Sequence, residues 1–439
     1  RRFKPRGGSA IIPLPMRTIG IGLVGFGNIG SALVETLNKE GARIARASGV
    51  PLAMVRVGDR NPGRNRHLLK APGILTTDLA RVVADPRVDI VVELIGGVPH
   101  ARRVVMGALK AGKHVVTANK HLLSEHGDEI VKAAARRHLL VGFEAAVCGG
   151  VPLIKALREG LIANRIRHVL GILNGTTNVI LTRMAETGED YRTALAEARR
   201  QGLAEADPTL DVEGLDTAHK ASVLAWLIFG QTIPSSAFHV EGITDITPAD
   251  LAAAERLDCR IKLIAVVSES KGRLWMGVHP ALVPKAHPLA DVRNAFNAVY
   301  LEGDLTGPLL FYGQGAGRKP TVSAVIADLV DIGAHVLRGD RRVIGSVPAV
   351  TIRGLSALGD FRTEYYLRWR ISDQPGMIAR IAARLGREGV NIASLKATVA
   401  GPGVGSVAIV TGLCRERQAQ RARQAVDRLR GVQGKGRLL

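Results

Sequence analysis

The chain has 439 residues, with 60 lysines and arginines against 39 aspartates and glutamates, a formal net charge of +21, and 46% hydrophobic but only 4% aromatic residues. That length exceeds one ordinary core and predicts two or three domains, and the apolar fraction excludes a disordered chain. The charge raises the question of nucleic acid, but the basic residues are scattered and no helix-turn-helix, finger or aromatic RNA-binding motif occurs, so the surface reads as solvated and no nucleic-acid partner is expected.

Unbroken apolar runs such as Val223 to Phe229 fall well short of the roughly 18 residues of a membrane span, so no membrane partner is expected. Cys148, Cys259 and Cys414 are far apart and suggest neither a disulfide framework nor a zinc knuckle, which fits a reducing cytoplasm. Residues 1–15 are basic, carry Pro and Gly and lack the apolar core of a signal peptide; they are expected to be a flexible extension ahead of Met16.

Arg17 to Val24 reads as a buried strand, followed by Gly25-Phe26-Gly27-Asn28-Ile29-Gly30 and a helical Ser31 to Glu40. Strand, glycines and helix in this order form the context of a dinucleotide-binding loop. Gly25 permits the tight turn, Gly27 lets a pyrophosphate approach the backbone and Gly30 lets helix pack on strand. Pro51 to Val57 is the second strand, ending at Gly58-Asp59-Arg60. An acid there holds a ribose 2′-hydroxyl and arginines hold a 2′-phosphate. Arg60, Arg64 and Arg66 favour NADP(H) or belong to a solvated loop, so NADP(H) and NAD(H) both stay open.

Val88 to Ile95, with Glu93, is another buried strand, closed by Gly96-Gly97; a helix from about Ala101 to Ala111 leads to Thr117-Ala118-Asn119-Lys120. Lys120 lies past the carboxyl end of the strand before it, where open parallel sheets bind ligands, or is a surface loop lysine. Leu139 to Phe143 is one more strand, and Glu144 with the small residues to Val151 suits either a monovalent-cation site built from a carboxylate and carbonyls or a simple tight turn. Cys148 reads as a buried small residue.

His168 to Leu173 is strand-like and ends at Asn174-Gly175-Thr176-Thr177-Asn178, a sharp turn with two hydroxyls to offer a ligand, or a plain hairpin or capping loop, before a helical Val179 to Glu186. In this cationic chain, Glu205, Asp207, Asp211, Glu213 and Asp216 place five carboxylates within twelve positions, and Lys220 closes the run. Asp216 and Lys220 are four apart on the first turn of a helix, apolar on almost every side, that ends at Phe229. Such a helix is buried all round, so the pair either faces a closed cleft or is an ordinary surface pair contributing about 0.2–0.5 kcal/mol.

Leu309 to Tyr312 precedes a second glycine loop, Gly313 to Gly317, and a helical Val322 to Leu337. Residues 339–362 resemble a linker. The last part, 363–434, shows strand, helix, strand, strand and helix: Tyr365 to Ile371, Met377 to Glu388 after the turn Asp373 to Gly376, a strand opening near Asn391, Ser406 to Thr411, and Glu416 to about Leu429, a split βαβ pattern.

With these motifs in hand, the chain resembles homoserine dehydrogenases of the monofunctional type with a C-terminal ACT domain, from about Met16 to Val432. The signatures are Gly25 to Gly30, Val91 to Gly97, Gly112 to Lys120, Asn174 to Asn178, Glu205 through Asp216 to Lys220, and Gly313 to Gly317. The resemblance implies an α/β chain: a Rossmann-type dinucleotide-binding domain over 16–150 with 318–338 packing back on it, an α+β catalytic and dimerisation domain over 151–317, and a ferredoxin-like ACT domain. It implies reversible hydride transfer between NAD(P)H and L-aspartate 4-semialdehyde, giving L-homoserine, in a homodimer or homotetramer. It makes Lys220, with Asp216, the proton donor and acceptor and Lys120 the second lysine, near nicotinamide and substrate. Glu205 and Asp216 become direct substrate contacts with Asp211 close by. Gly202 and Gly317 approach the cofactor, a Na+ or K+ sits at Glu144 with the carbonyls of Val147, Gly149 and Val151, and an amino-acid effector binds near Asp373, Gly376 and Asn391. Arg318-Lys319 and Thr411-Gly412 depart from the family pattern, the second where threonine feedback is concerned. The competing readings are another NAD(P)-dependent amino-acid dehydrogenase and a non-catalytic regulatory binding protein.

Overall fold

In the computed structural model, which describes residues 17–61, 65–339 and 352–439, the first third of the chain alternates strand and helix. The expected N-terminal extension, Arg64 and residues 340–351 of the expected linker lie outside the described residues. Strands β1 (Ile19–Val24), β2 (Leu52–Gly58), β3 (Leu75–Thr76), β4 (Ile90–Glu93), β5 (His114–Thr117) and β6 (Val141–Gly142) form one parallel sheet in the order β3-β2-β1-β4-β5-β6. All six residues of β1 are buried, as an unbroken apolar run requires when both sheet faces are covered. The first helix, Asn28–Ser48, starts three residues before its expected position because the glycine loop supplies its first turn, and it ends at Gly49 with φ 72°.

The chain divides into two compact units. One takes residues up to Asn119, Glu129–Ala145 and the chain from Thr321; the other takes Lys120–Asp128, Ala146–Pro320 and the C-terminal part. The helix Arg318–Arg338 is long and apolar enough to cross a membrane by length and composition, which unbroken apolar runs did not reveal. Its residues Val322, Val325, Leu329 and Ile332 lie in the core of the first unit with Ile19, Ile21, Leu33 and Val50, so it is a core helix. Gly333 permits the approach, since a Cβ there would stand 2.6 Å from Val50.

The second unit is built on β7 (Ile166–Ile172), β8 (His239–Val240), β9 (Cys259–Ser270), β10 (Arg273–Pro284), β11 (Phe296–Gly303) and β12 (Gly307–Gln314), in the order β12-β11-β7-β9-β10-β8. Every pairing is antiparallel except that of β8 with β10. Helices Gly175–Thr187 and Leu215–Phe229 pack on this sheet. Thirteen of the fifteen residues of Leu215–Phe229 are buried, so it is a central helix rather than an amphipathic one.

The C-terminal module has its own core of Leu367, Trp369, Ile381, Leu385, Val407, Ile409, Ala422 and Val426. A short pair, β13 (Arg362–Thr363) with β17 (Cys414–Arg415), accompanies a sheet of β14 (Tyr366–Ser372), β15 (Ile392–Gly401), β16 (Val404–Thr411) and β18 (Val432–Leu438), ordered β15-β16-β14-β18 and wholly antiparallel. With helices Met377–Arg387 and Glu416–Asp427 this completes a βαββαβ, ferredoxin-like arrangement. The last strand is the element missing from the sequence pattern: Gly434 and Gly436 break its alternation. Gly436 is needed there, because a Cβ would stand 2.1 Å from the Trp369 indole nitrogen.

This module, expected as a domain of its own, falls in the same compact unit as the second sheet. Arg368 Nε donates to Asp250 Oδ1 at 2.6 Å, and Asp250 is only 1% exposed. Arg437 reaches Glu241 at 2.8 Å. Removing one partner of a buried pair leaves an uncompensated charge. Arg368→Met is therefore expected to lower unfolding free energy by about 3–5 kcal/mol, read by chemical denaturation, and Arg368→Met with Asp250→Leu to recover part of it.

Candidate active site

The glycine loop of the first unit is an open cradle. Gly25 has φ 103°, and a Cβ there would meet the Leu94 carbonyl oxygen at 2.6 Å. A Cβ on Gly30 would stand 2.0 Å from the Gly25 oxygen, whereas nothing lies within 4 Å of one on Gly27. The loop thus closes tightly on its inner side and leaves room at Gly27, where no side chain caps the following helix. This is the geometry that admits a pyrophosphate to a helix N-terminus. Phe26, Asn28 and Ile29 complete the loop. Asp59, just past β2, accepts from Phe26 N at 2.6 Å and from Asn61 N at 2.8 Å, while Asn65 Nδ2 donates to Phe26 O at 2.7 Å. The acid that was a candidate for the ribose is engaged in holding the loop, and Arg60 and Arg66 beside it are exposed.

Two residues beyond the expected set shape the same end of the sheet. Glu93 is fully buried and accepts from Ile95 N at 2.8 Å, Gly96 N at 3.3 Å and Thr117 Oγ1 at 2.6 Å. Asn119 Nδ2 donates to Gly97 O at 2.6 Å. Both stood inside recognisable motifs, but only the register of β4 beside β5 shows that Glu93 and Thr117 are adjacent.

In the second unit the Asp216–Lys220 spacing becomes a buried ion pair. Lys220 is 7% exposed and Asp216 6%. Lys220 Nζ donates to Asp216 Oδ2 at 2.6 Å and to Leu173 O at 2.7 Å. Lys120 approaches the other oxygen, Asp216 Oδ1, at 3.0 Å, with its side chain 40% exposed. Asn174 Nδ2 bridges Asp211 Oδ1 at 2.6 Å and Asp216 Oδ2 at 2.9 Å, and its Oδ1 accepts from Thr177 N at 2.8 Å, capping the next helix. The Asn174-Gly175 step is thus a helix N-cap and not a hairpin. Asn174 is the contact residue the sequence reading passed over, and its signal was the amide immediately before the helix.

Burial alone would raise the Asp216 carboxyl, but the charges of Lys220 and Lys120 and the hydrogen bonds from Lys220 and Asn174 overcome it and hold the pKa well below the carboxylate range. Burial alone would lower the Lys220 ammonium, and the opposing charge of Asp216 more than offsets that, so Lys220 is held protonated. Cys148, with φ 51° in the turn, is fully buried and its thiol is pushed up by burial; Asn297 Nδ2 lies 3.6 Å from its sulfur. That is an inert thiol.

The carboxylate run is sorted by the fold. Asp216 is buried and Asp211 half-buried, while Glu205, Asp207 and Glu213 are exposed. Gly202 and Gly317 have φ 70° and 118°. Of the expected cation set, Glu144 falls in the first unit and Val147, Gly149 and Val151 in the second, where Gly149 N and Gly150 N donate to the Gly315 and Gln314 carbonyls at 2.9 Å. No cluster of three acidic, His or Cys side chains suited to a metal occurs among the described residues. Asp373 N bonds Gly403 O at 3.1 Å, Gly376 with φ 81° opens the helix that follows, and Asn391 O accepts from Gly412 N at 2.8 Å.

A parallel sheet in the 3-2-1-4-5-6 order with an open glycine cradle, joined in one chain to a buried Lys–Asp centre, defines a nicotinamide-dependent oxidoreductase. Residues 25–144 match the family described as homoserine dehydrogenase, NAD binding domain, and residues 152–330 that described as homoserine dehydrogenase. The chain is 39% identical over 429 residues to a homoserine dehydrogenase of Pseudomonas aeruginosa, covering 95% of this chain and 98% of that protein. It is 40% identical over 433 residues to that of Mycobacterium tuberculosis, covering 96% and 97%. The crystal structure of a homoserine dehydrogenase from Thiobacillus denitrificans superposes with a TM-score of 0.90 at 40% identity, covering 97% of this chain and 98% of that one. A hyperthermophilic archaeal homoserine dehydrogenase in complex with NADPH aligns at 26% identity with a TM-score of 0.62, over 72% and 98%. The chain belongs to the homoserine dehydrogenase family.

Because the folded pKa of Asp216 lies below its ordinary 3.8, the stability it contributes is present above that pH and lost as pH falls through the folded value. Asp216→Asn strands the Lys220 ammonium and is expected to cost about 3–5 kcal/mol at pH 7. The difference from wild type should shrink below about pH 4, measured by denaturant unfolding across a pH series.

Proposed function

We propose that this chain catalyses the reversible NAD(P)H-dependent reduction of L-aspartate 4-semialdehyde to L-homoserine, in threonine, methionine and isoleucine biosynthesis, with Lys220 as proton donor and acceptor. The observation that carries the assignment is the buried Lys220–Asp216 pair with Lys120 on the same carboxylate. The nicotinamide, when bound, supplies or accepts the hydride. An ammonium has three donors, and Lys220 spends two of them on Asp216 and Leu173, so one N–H is left for the substrate oxygen. In reduction that oxygen becomes an alkoxide, which Lys220 protonates; in oxidation, at alkaline pH where a fraction of Lys220 has given up its proton to solvent, the neutral amine takes the hydroxyl proton. Asp216 remains ionised throughout, and Asn174 keeps it oriented.

Lys120, with its more exposed ammonium, is the second lysine of this reading and meets nicotinamide and substrate. Asp211, Glu205 and Asp216 receive the substrate α-ammonium, which an acidic pocket selects. The glycine loop holds the pyrophosphate, with Gly202 and Gly317 approaching the cofactor, and Arg60 beside an already engaged Asp59 favours a 2′-phosphate and hence NADP(H). A Na+ or K+ at Glu144 and the carbonyls of Val147, Gly149 and Val151 belongs to the same proposal. So do a homodimer or homotetramer, a cytoplasmic location in keeping with free Cys148, Cys259 and Cys414, and an ACT role for the ferredoxin-like module with an amino-acid effector near Asp373, Gly376 and Asn391.

The test is absorbance in the nicotinamide band with L-homoserine and NADP+ or NAD+ at alkaline pH. Turnover by wild type and a loss of about 10²–10⁴-fold in kcat for Lys220→Ala are expected. Turnover of neither cofactor by folded protein with added sodium or potassium would remove the assignment. Arg60→Ala should raise KM for NADP+ by about tenfold, an ion pair's share, while leaving that for NAD+ within about twofold. Equal effects on both cofactors would exclude a 2′-phosphate contact.

A further inference from the structure

Each of the two lysines has a histidine as its chain neighbour: His121 follows Lys120 and His219 precedes Lys220. In the fold these imidazoles lie on each other, ring centroids 4.3 Å apart and planes 14° from parallel. They join the start of the helix Lys120–Ala135 to the helix Leu215–Phe229. The same two helices meet again about two turns on, where a Cβ on Gly127 would stand 3.3 Å from the Trp226 ring. His219 and Trp226 are seven residues apart, and His121 and Gly127 six, so both contacts lie along one seam.

Lys120 itself has a long, 40% exposed side chain, and its ion pair is with Asp216 alone among the described residues. A flexible side chain gains little from such a pair unless the backbone beneath it is fixed. The stack ties the residue next to Lys120 to the residue next to Lys220 across the two helices. His121 Nε2 is in turn held by Glu125 Oε1 at 2.8 Å, with His126 Nε2 at 3.8 Å from the other Glu125 oxygen. Burial, His121 and Lys120 push His219 down to about 4 against the pull of Asp216 and Glu125, so it stacks as a neutral ring.

We propose that the stacked imidazoles of His121 and His219 are a positioning element that registers Lys120 against the Asp216–Lys220 pair, setting the separation of the two reactive lysines. This rests on the reading that both lysines act in the reaction. The rings act through Lys120 and not by contact with substrate or cofactor.

The experiment measures kcat and KM for homoserine oxidation by the full chain, with thermal midpoints alongside, for His121→Ala, His219→Ala, the His121→Phe/His219→Phe pair, Lys120→Ala, and His219→Ala combined with Lys120→Ala. Misplacing a reacting group by about 1 Å costs on the order of 10- to 100-fold, so each alanine variant should lose about tenfold or more in kcat with KM within about threefold. The phenylalanine pair, which keeps a stack without the imidazole chemistry, should hold kcat within about threefold. On the Lys120→Ala background, His219→Ala should cost less than about twofold more, since residues acting through one another are non-additive.

A loss from His219→Ala that is the same with and without Lys120 would overturn the inference, as would a phenylalanine pair impaired as far as the alanines. Lys120→Ala at the wild-type rate would withdraw Lys120 from the reaction and the inference with it. Overturning by the histidine variants, with Lys120→Ala and Lys220→Ala both impaired, would leave the active-site assignment intact.

Discussion

The constraint on which the second unit depends is that an ammonium and a carboxylate sit together out of water on a helix that is itself buried. Desolvating each costs several kcal/mol, and mutual attraction offsets it only if the remaining donors and acceptors are met. The surroundings of Lys220 and Asp216 supply that: the Leu173 carbonyl at the end of β7, the Asn174 amide beside it, and Lys120 on the second carboxylate oxygen. Two of these come from the point where a strand hands over to a helix, so the sheet and the central helix are locked in register by the charges they bury. The arrangement is costly for stability, and in the proposed reaction it keeps a protonated lysine in a place where water is scarce.

The first unit works by the opposite means, with backbone in place of side-chain charge. Glycines remove Cβ atoms where the loop must fold against Leu94 and against itself, and Gly27 leaves space where a phosphate would approach. The acid after β2 and the acid at the end of β4 are both spent on backbone N–H groups, Asp59 on the glycine loop and Glu93 on the turn through Gly96. Carboxylates used this way position a loop, so the partners of the acid in such a motif matter as much as its identity.

Much of this was legible in the chain. Period and glycine placement located β1, β2 and β4, the helix Leu215–Phe229 with its i,i+4 pair, and the Ser31 to Glu40 part of the helix that runs over Asn28–Ser48. Errors came where local pattern and tertiary use diverge. Asn174-Gly175 left a ligand turn, a hairpin and a capping loop open; it caps a helix, and the part not legible was that its amide also donates to two carboxylates. The strand Val432–Leu438 contains glycines that weaken it in isolation, and it forms because β14 offers a ladder and Trp369 leaves no room for a side chain. The helix Arg318–Arg338 has no long unbroken apolar run, yet its average hydropathy reaches that of a membrane span.

By itself the sequence determined the residue types, their spacing along single elements, and hence the dinucleotide loop, the Asp216–Lys220 turn and the kinship of the chain. Those features depend on neighbours within a few residues, where backbone geometry dictates who meets whom. Only the tertiary structure decided which of five clustered carboxylates is buried, that Lys120 and Asn174 converge on Asp216, that His121 stacks on His219, and that the C-terminal module joins the second unit through Arg368 and Asp250. The last three bring together residues 42 to 118 positions apart in the chain, and burial and charge balance depend on that packing rather than on sequence distance.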